Sequence, residues 1–198
     1  MGFKDIKRAY IIEKAKELLL STSIQEVTIK DVAQASAVGE ATIYRYFQTK
    51  EKLVTEVAIA LQKEIVASNI NEEGTATGYQ CIEGFYNLFL SVYIIHPDYY
   101  RFLTGFDSLY LATLSGSEYP NALDKFKDYF LESYKAGIKD GSLRAIEKPE
   151  LFYYGSTHSL LELCKKLAAL DSALPQDLAI NKEEEIREVI HAFLSYLK

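Results

Sequence analysis

The sequence predicts an all-α fold of about nine helices, and three observations carry that prediction. Apolar residues recur at i, i+3 and i+4 in one segment after another, the spacing of a helix with one buried face. The 198 residues hold only four prolines and ten glycines, with no long turn-rich tract. Helix-start and helix-stop residues fall at the ends of the periodic segments. A hydrophobic content of 48% is enough to fill a core of one large or two small domains.

Taken in order, residues 5–20 form a first helix. Ile11 or Ile12, Ala15, Leu18 and Leu19 make its inner face, and Ser21-Thr22-Ser23 ends it. Thr28 caps a second helix, with Asp31 in capping-box position and Ile29, Val32 and Ala33 as its apolar face. The pattern breaks at Ser36-Ala37 and resumes after Gly39, where a short third helix sets Ile43 and Phe47 on one side. A fourth helix opens at Thr49 and runs to about residue 69 through Leu53, Val57, Leu61 and Ile65. Asn71 to Gly78 reads as a linker by composition. A helix over 79–95 stops at His96-Pro97, because the residue before proline disfavours the helical conformation. Asp98 opens another, to about 112, and residues 114–117 are a loop. A helix over 119–139 ends at Asp140-Gly141, with glycine where a left-handed cap is needed. The last two helices span about 149–170 and 182–197, joined by 171–181.

Residues 28–47 carry the chemistry. The third helix is too short to stand alone in water, so Ile43 and Phe47 must clamp it to its neighbours. Its other side then offers the Thr42 hydroxyl, the Tyr44 phenol and the Arg45 guanidinium, groups suited to phosphates and base edges. Two short helices so arranged follow helix-turn-helix logic. Charge is divided in the same sense. Residues 1–52 carry nine Lys/Arg against seven Asp/Glu, a net +2, and residues 53–198 carry a net −8. The expected division is a DNA-facing head over 1–52 and an acidic body over 53–198.

The run Val38 to Phe47, above all Thr42-Ile43-Tyr44-Arg45-Tyr46-Phe47, followed by Lys50 and Leu53 and preceded by Asp31-Val32-Ala33, resembles the TetR family of one-component transcriptional regulators. The detailed likeness covers the first quarter of the chain; the turn Gly141-Ser-Leu-Arg144 also resembles the family's joint before its dimer helices. The resemblance implies an N-terminal three-helix DNA-binding domain, a C-terminal effector and dimerisation domain, and a repressor released from a palindromic operator by a small molecule. On matched positions it implies a DNA-binding set of Thr28, Gly39, Glu40, Thr42, Tyr44, Arg45 and Lys50. Thr28 would hold phosphate through its hydroxyl and N–H. Thr42 and Arg45 would meet base edges, and Tyr44 and Lys50 would meet phosphate. Tyr46 and Phe47 read as core. Ala37-Val38-Gly39 stands where the family often has Gly-Val-Ser, so the turn glycine and the serine cap are both missing. Glu40 either weakens binding by repulsion or reads a cytosine N4.

In the body, Phe85, Phe89, Tyr93, Phe102, Phe106, Tyr110, Tyr153, His158 and Glu162 are candidates for the wall of an effector cavity. The alternative is plain aromatic core. Buried phenols need partners, and the many tyrosines of this region speak for a polar-dotted cavity. Ile186, Val189, Ile190, Phe193 and Leu197 make an apolar stripe on the last helix, and Phe152, Leu160, Leu163 and Leu167 lie on a preceding helix that is apolar on more than one side. One side can face the body and the other a second subunit. The alternative is intramolecular packing alone. The family implies a two-fold, four-helix interface.

No Gly-rich phosphate loop, HExxH, G-x-S-x-G or paired-cysteine motif occurs, so no catalytic residue, metal site or cofactor is expected. Cys81 and Cys164 read as buried free thiols. No apolar run reaches the length of a membrane span and no signal peptide is seen, so a cytoplasmic protein is expected. The competing function is a helical module that sequesters an apolar ligand without binding DNA.

Overall fold

A computed structural model describes residues 2–69, 76–110, 119–169 and 180–198. Among these residues there are nine helices and no strand. They are α1 (Phe3–Ser21), α2 (Ile29–Ala35), α3 (Glu40–Phe47), α4 (Lys50–Asn69), α5 (Gly78–Ile95), α6 (Pro97–Tyr110), α7 (Tyr119–Asp140), α8 (Pro149–Ala169) and α9 (Lys182–Leu197). The order and number are those expected. The loop expected at 114–117, most of the linker and most of the 171–181 connection lie outside the described residues. Gly78 is not linker. It is the buried first residue of α5, and Thr77 caps that helix by accepting from the Gln80 N–H at 3.3 Å.

The chain forms two compact units, residues 1–65 with 101–122, and residues 66–100 with 123–198. These divide the chain differently from the expected boundary at 52/53. Most of α4 and the larger part of α6 belong to the first unit.

The first unit is built on periodic burial. Ile11, Ala15 and Leu19 lie one helical turn apart on α1 and are buried with Ile29, Val32 and Ala33 of α2 and Leu53, Val54, Val57 and Leu61 of α4. Ile12 and Leu18 are only half-buried, which settles the choice between Ile11 and Ile12. Phe102, Phe106, Tyr110 and Tyr119 form an aromatic group, with Phe106 centred 5.1 Å from Tyr119 and 5.8 Å from Tyr110.

The second unit packs α5, α8 and α9 together. Its centre is Phe85, Tyr86, Phe130 and Tyr153, with ring centroids 5.3–6.1 Å apart where paired. At the α5–α7 crossing, a Cβ on Gly78 would come within 2.1 Å of the Gly137 backbone nitrogen, so α5 needs glycine there. Asp140 accepts from the Gly78 N–H at 2.8 Å and pins the same crossing. Gly141 ends α7 at φ 77, the left-handed position expected of it.

Candidate nucleic-acid interface

The site begins with what fixes α3. Ile43 and Phe47, one turn apart, are buried. Arg8 of α1 lies over the Phe47 ring, its guanidinium carbon 5.1 Å from the centroid, and donates two hydrogen bonds to Glu56 of α4 at 2.6 and 2.7 Å. One guanidinium thus ties α1, α3 and α4. The 48-residue separation of Arg8 and Glu56 left no sequence signal for it.

The turn that aims α3 has the hydrogen bonds of a Schellman cap. The Val38 N–H donates to the Ala33 carbonyl at 3.0 Å and the Ala37 N–H to that of Gln34 at 3.2 Å. Ala37 takes the left-handed position at φ 51. The missing glycine therefore changes the cost of the turn and not its shape. Gly39 supplies the N-cap of α3 in ordinary extended backbone, φ −76 and ψ 150, without a side-chain cap bond. At the far end Gln48 adopts φ 66 and ψ −45, and the Thr49 N–H donates to the Phe47 carbonyl at 2.7 Å. This three-residue turn sets α3 sharply against α4.

With Ile43 and Phe47 turned inward, Gly39, Glu40, Tyr44 and Arg45 are exposed and Thr42 is half-buried. Tyr44 keeps 48% of its surface open to solvent. The Arg45 guanidinium lies 5.6 Å from the Tyr46 ring centroid, which holds its stem while the donors remain available. Tyr46 is half-buried rather than core, and Phe47 is core as expected.

Two expected phosphate contacts are already engaged within the chain. The Thr28 hydroxyl donates to the Asp31 carboxylate at 2.6 Å and accepts from the Asp31 N–H, while the Thr28 N–H donates to the same carboxylate at 2.8 Å. Both groups assigned to phosphate serve the capping box, and they hold the Asp31 carboxyl below its usual range. Lys50 donates from Nζ to the Ile24 carbonyl at 2.5 Å and reaches that of Gln25 at 3.5 Å. It fastens α4 to the α1–α2 loop, with donor capacity to spare.

The cavity candidates divide. Phe102, Phe106 and Tyr110 belong to the first unit, and Phe85, Phe89, Tyr93, Tyr153, His158 and Glu162 to the second. Phe85 and Tyr153 are packed core, and burial raises the Tyr153 phenol to about 12. His158 and Glu162 are exposed on α8 instead of lining that core, with His158 beside Tyr154 at 5.8 Å. The phenol argument for a cavity also loses its premise at three positions. Tyr86 donates to Ser156 Oγ at 2.7 Å, Tyr100 to the Phe89 carbonyl at 2.9 Å, and Tyr134 accepts from the Ile146 N–H at 2.7 Å.

The expected dimer set needs correction as well. Leu160, Leu167, Ile186, Ile190 and Leu197 are buried within their own chain, because the stripe on α9 is used to pack against α5 and α8. Side chains with no more than 4% of their surface accessible offer little to a second subunit. Phe152, Leu163, Val189 and Phe193 are half-buried. The open face of α8 is Leu151, Tyr154, His158 and Glu162, at i, i+3, i+7 and i+11.

Residues 11–57, from the middle of α1 into α4, match the pattern of the family described as bacterial regulatory proteins, tetR family. The chain is similar to the HTH-type transcriptional repressor KstR2 of Rhodococcus jostii (strain RHA1), 24% identical over 163 residues, which are 76% of this chain and 74% of that one. Its fold is similar to that of the fatty acid degradation regulator FadR from Bacillus halodurans, at TM-score 0.72 and 17% identity, over 98% of this chain and 96% of that one. It is also similar to RolR solved with the ligand resorcinol, at TM-score 0.64 and 14% identity, over 98% of this chain and 88% of that one. The helix-turn-helix geometry and the family match fall on the same residues, and over residues 11–57 the chain is similar to the tetR family of bacterial regulatory proteins.

Proposed function

We propose that the protein is a ligand-responsive repressor that binds a palindromic operator as a homodimer in the cytoplasm and is released by a small-molecule effector. The observation that carries this reading is α3, clamped through Ile43 and Phe47, with Glu40, Tyr44 and Arg45 exposed and Thr42 half-buried. A helix held that way can lie in a major groove, with Arg45 bridging guanine O6 and N7 and Tyr44 on the backbone. The repressor relative and the fold shared with RolR, solved with resorcinol, support the coarser parts of the reading. Two copies joined through the open face of α8 would present two α3 helices to a two-fold operator. An effector in the body releases DNA only by the difference in its affinity for the two states. Among the described residues no helix is long and apolar enough to cross a membrane.

The test is selection of bound sites from random duplex DNA, followed by filter binding. Enrichment of a palindrome is expected, with affinity falling by about 10³-fold or more between roughly 50 and 200 mM salt if six or more phosphates are engaged. Arg45→Ala should relax preference at one base pair per half-site by about 1–3 kcal/mol. Binding without sequence enrichment, or an Arg45→Ala protein that selects the same site, would sink the reading.

A further inference from the structure

A cleft in the first unit takes no part in the DNA-facing reading. It has a volume of about 200 Å³ and lies between the end of α1 with its following loop and the first-unit part of α6. Its floor is apolar, made by the buried Leu19, Ile24 and Phe102. Gly105 lines it without a side chain, and a Cβ there would already touch Ile24 Cδ1 at 3.4 Å. The rim is polar, with Thr22, Ser23 and the exposed Arg101. Arg101 has no carboxylate partner among the described residues.

We infer that this cleft is a binding site for a small organic carboxylate with an apolar body. An apolar floor with a few polar groups at its edge is the usual make-up of a small-molecule site. The volume is below the roughly 300–1,000 Å³ of drug-sized pockets, which selects molecules of the size of benzoate. The guanidinium fixes the sign of the head group, because its planar fork matches a carboxylate in two hydrogen bonds. The rim hydroxyls add donors of the same kind. The site lies in the first unit and shares only Phe102 with the effector cavity expected of the body. It also bears on the DNA-facing helices. The loop that walls it accepts from Lys50 at the Ile24 and Gln25 carbonyls and runs directly into the Thr28 cap of α2.

The experiment titrates sodium benzoate into the full-length ¹⁵N-labelled protein and follows backbone amide shifts. Saturable shifts centred on residues 19–25 and 101–105 are expected, with benzyl alcohol binding about tenfold more weakly or worse. Arg101→Ala should weaken benzoate by about tenfold with unchanged helicity, since the side chain is exposed. Arg101→Lys should recover part of that loss, and Gly105→Val should fill the cleft and abolish the shifts. Shifts centred elsewhere, no saturation, equal binding of benzyl alcohol, or unchanged binding by Arg101→Ala would each overturn the inference.

Discussion

Ala37 holds the left-handed turn between α2 and α3 at φ 51, where its Cβ crowds its own backbone. Glycine removes that crowding but loses more freedom on folding. The net expectation for Ala37→Gly is stabilisation by about 0.5–1 kcal/mol, read as a higher urea midpoint at unchanged slope. Gly39→Ser should add a few tenths of a kcal/mol, because the backbone is already extended and nothing lies within 4 Å of the new Cβ. At Asp31 the folded carboxyl is held below its ordinary range by the Thr28 hydroxyl and N–H. Its contribution is therefore complete above the unfolded value of about 3.9 and is lost as pH falls through the lower folded value. The stability gap between wild type and Thr28→Val should be widest near neutrality and shrink on acidification. Lys50→Ala should lower the melting temperature as well as DNA affinity, since its ammonium ties α4 to the carbonyls at 24 and 25. A loss of affinity alone would contradict the clamp.

Among the elements, α5 and α7 depend on a contact that their hydrophobic patterns do not mention. Gly78 meets the Gly137 backbone, and Gly137 in turn meets Leu143, whose Cδ1 would lie 2.3 Å from a Cβ at 137. Gly78→Ala must push two backbones apart and should cost about 3 kcal/mol in denaturant unfolding. A cost near that of an exposed helical substitution would show that the crossing yields. Helix identities and order were legible in the sequence because periodicity, Thr caps and the His96-Pro97 and Asp140-Gly141 stops are local signals. The Gly78 error shows the limit of that reading. Its composition suggests a linker, and only the partner 59 residues away shows why the helix starts there. The same limit hid Arg8, whose partners lie on α3 and α4. It also hid the internal use of Thr28 and Lys50, because a residue type suited to phosphate is equally suited to a cap or a carbonyl.

For the molecule as a whole, the apolar stripe on α9 showed that something must be buried but not against what. Burial of Leu160, Ile186 and Leu197 in their own subunit moves the proposed dimer contact to Leu151, Tyr154 and their neighbours on α8. Leu151→Glu with Tyr154→Glu should shift sedimentation toward the monomer while helicity persists, whereas Leu160→Asp should unfold the body. Loss of helicity in the first variant, or an unchanged dimer, would return the contact to another face. The aromatic segment 85–110 looked like one region in the chain and is divided between two units in space. Sequence proximity on α5 and α6 could not reveal that division.

The handedness of position 37 lends itself to chemical synthesis. A D-alanine there has its own preferred region at the φ that the L residue tolerates, yet keeps the methyl group that glycine lacks. The difference in stability between the D-alanine and glycine proteins then isolates the freedom that glycine gains in the unfolded chain. The difference between D- and L-alanine isolates the strain held in the turn that aims α3. One methyl group, placed on either side of its carbon, thus becomes a gauge for how tightly the head of this regulator is wound.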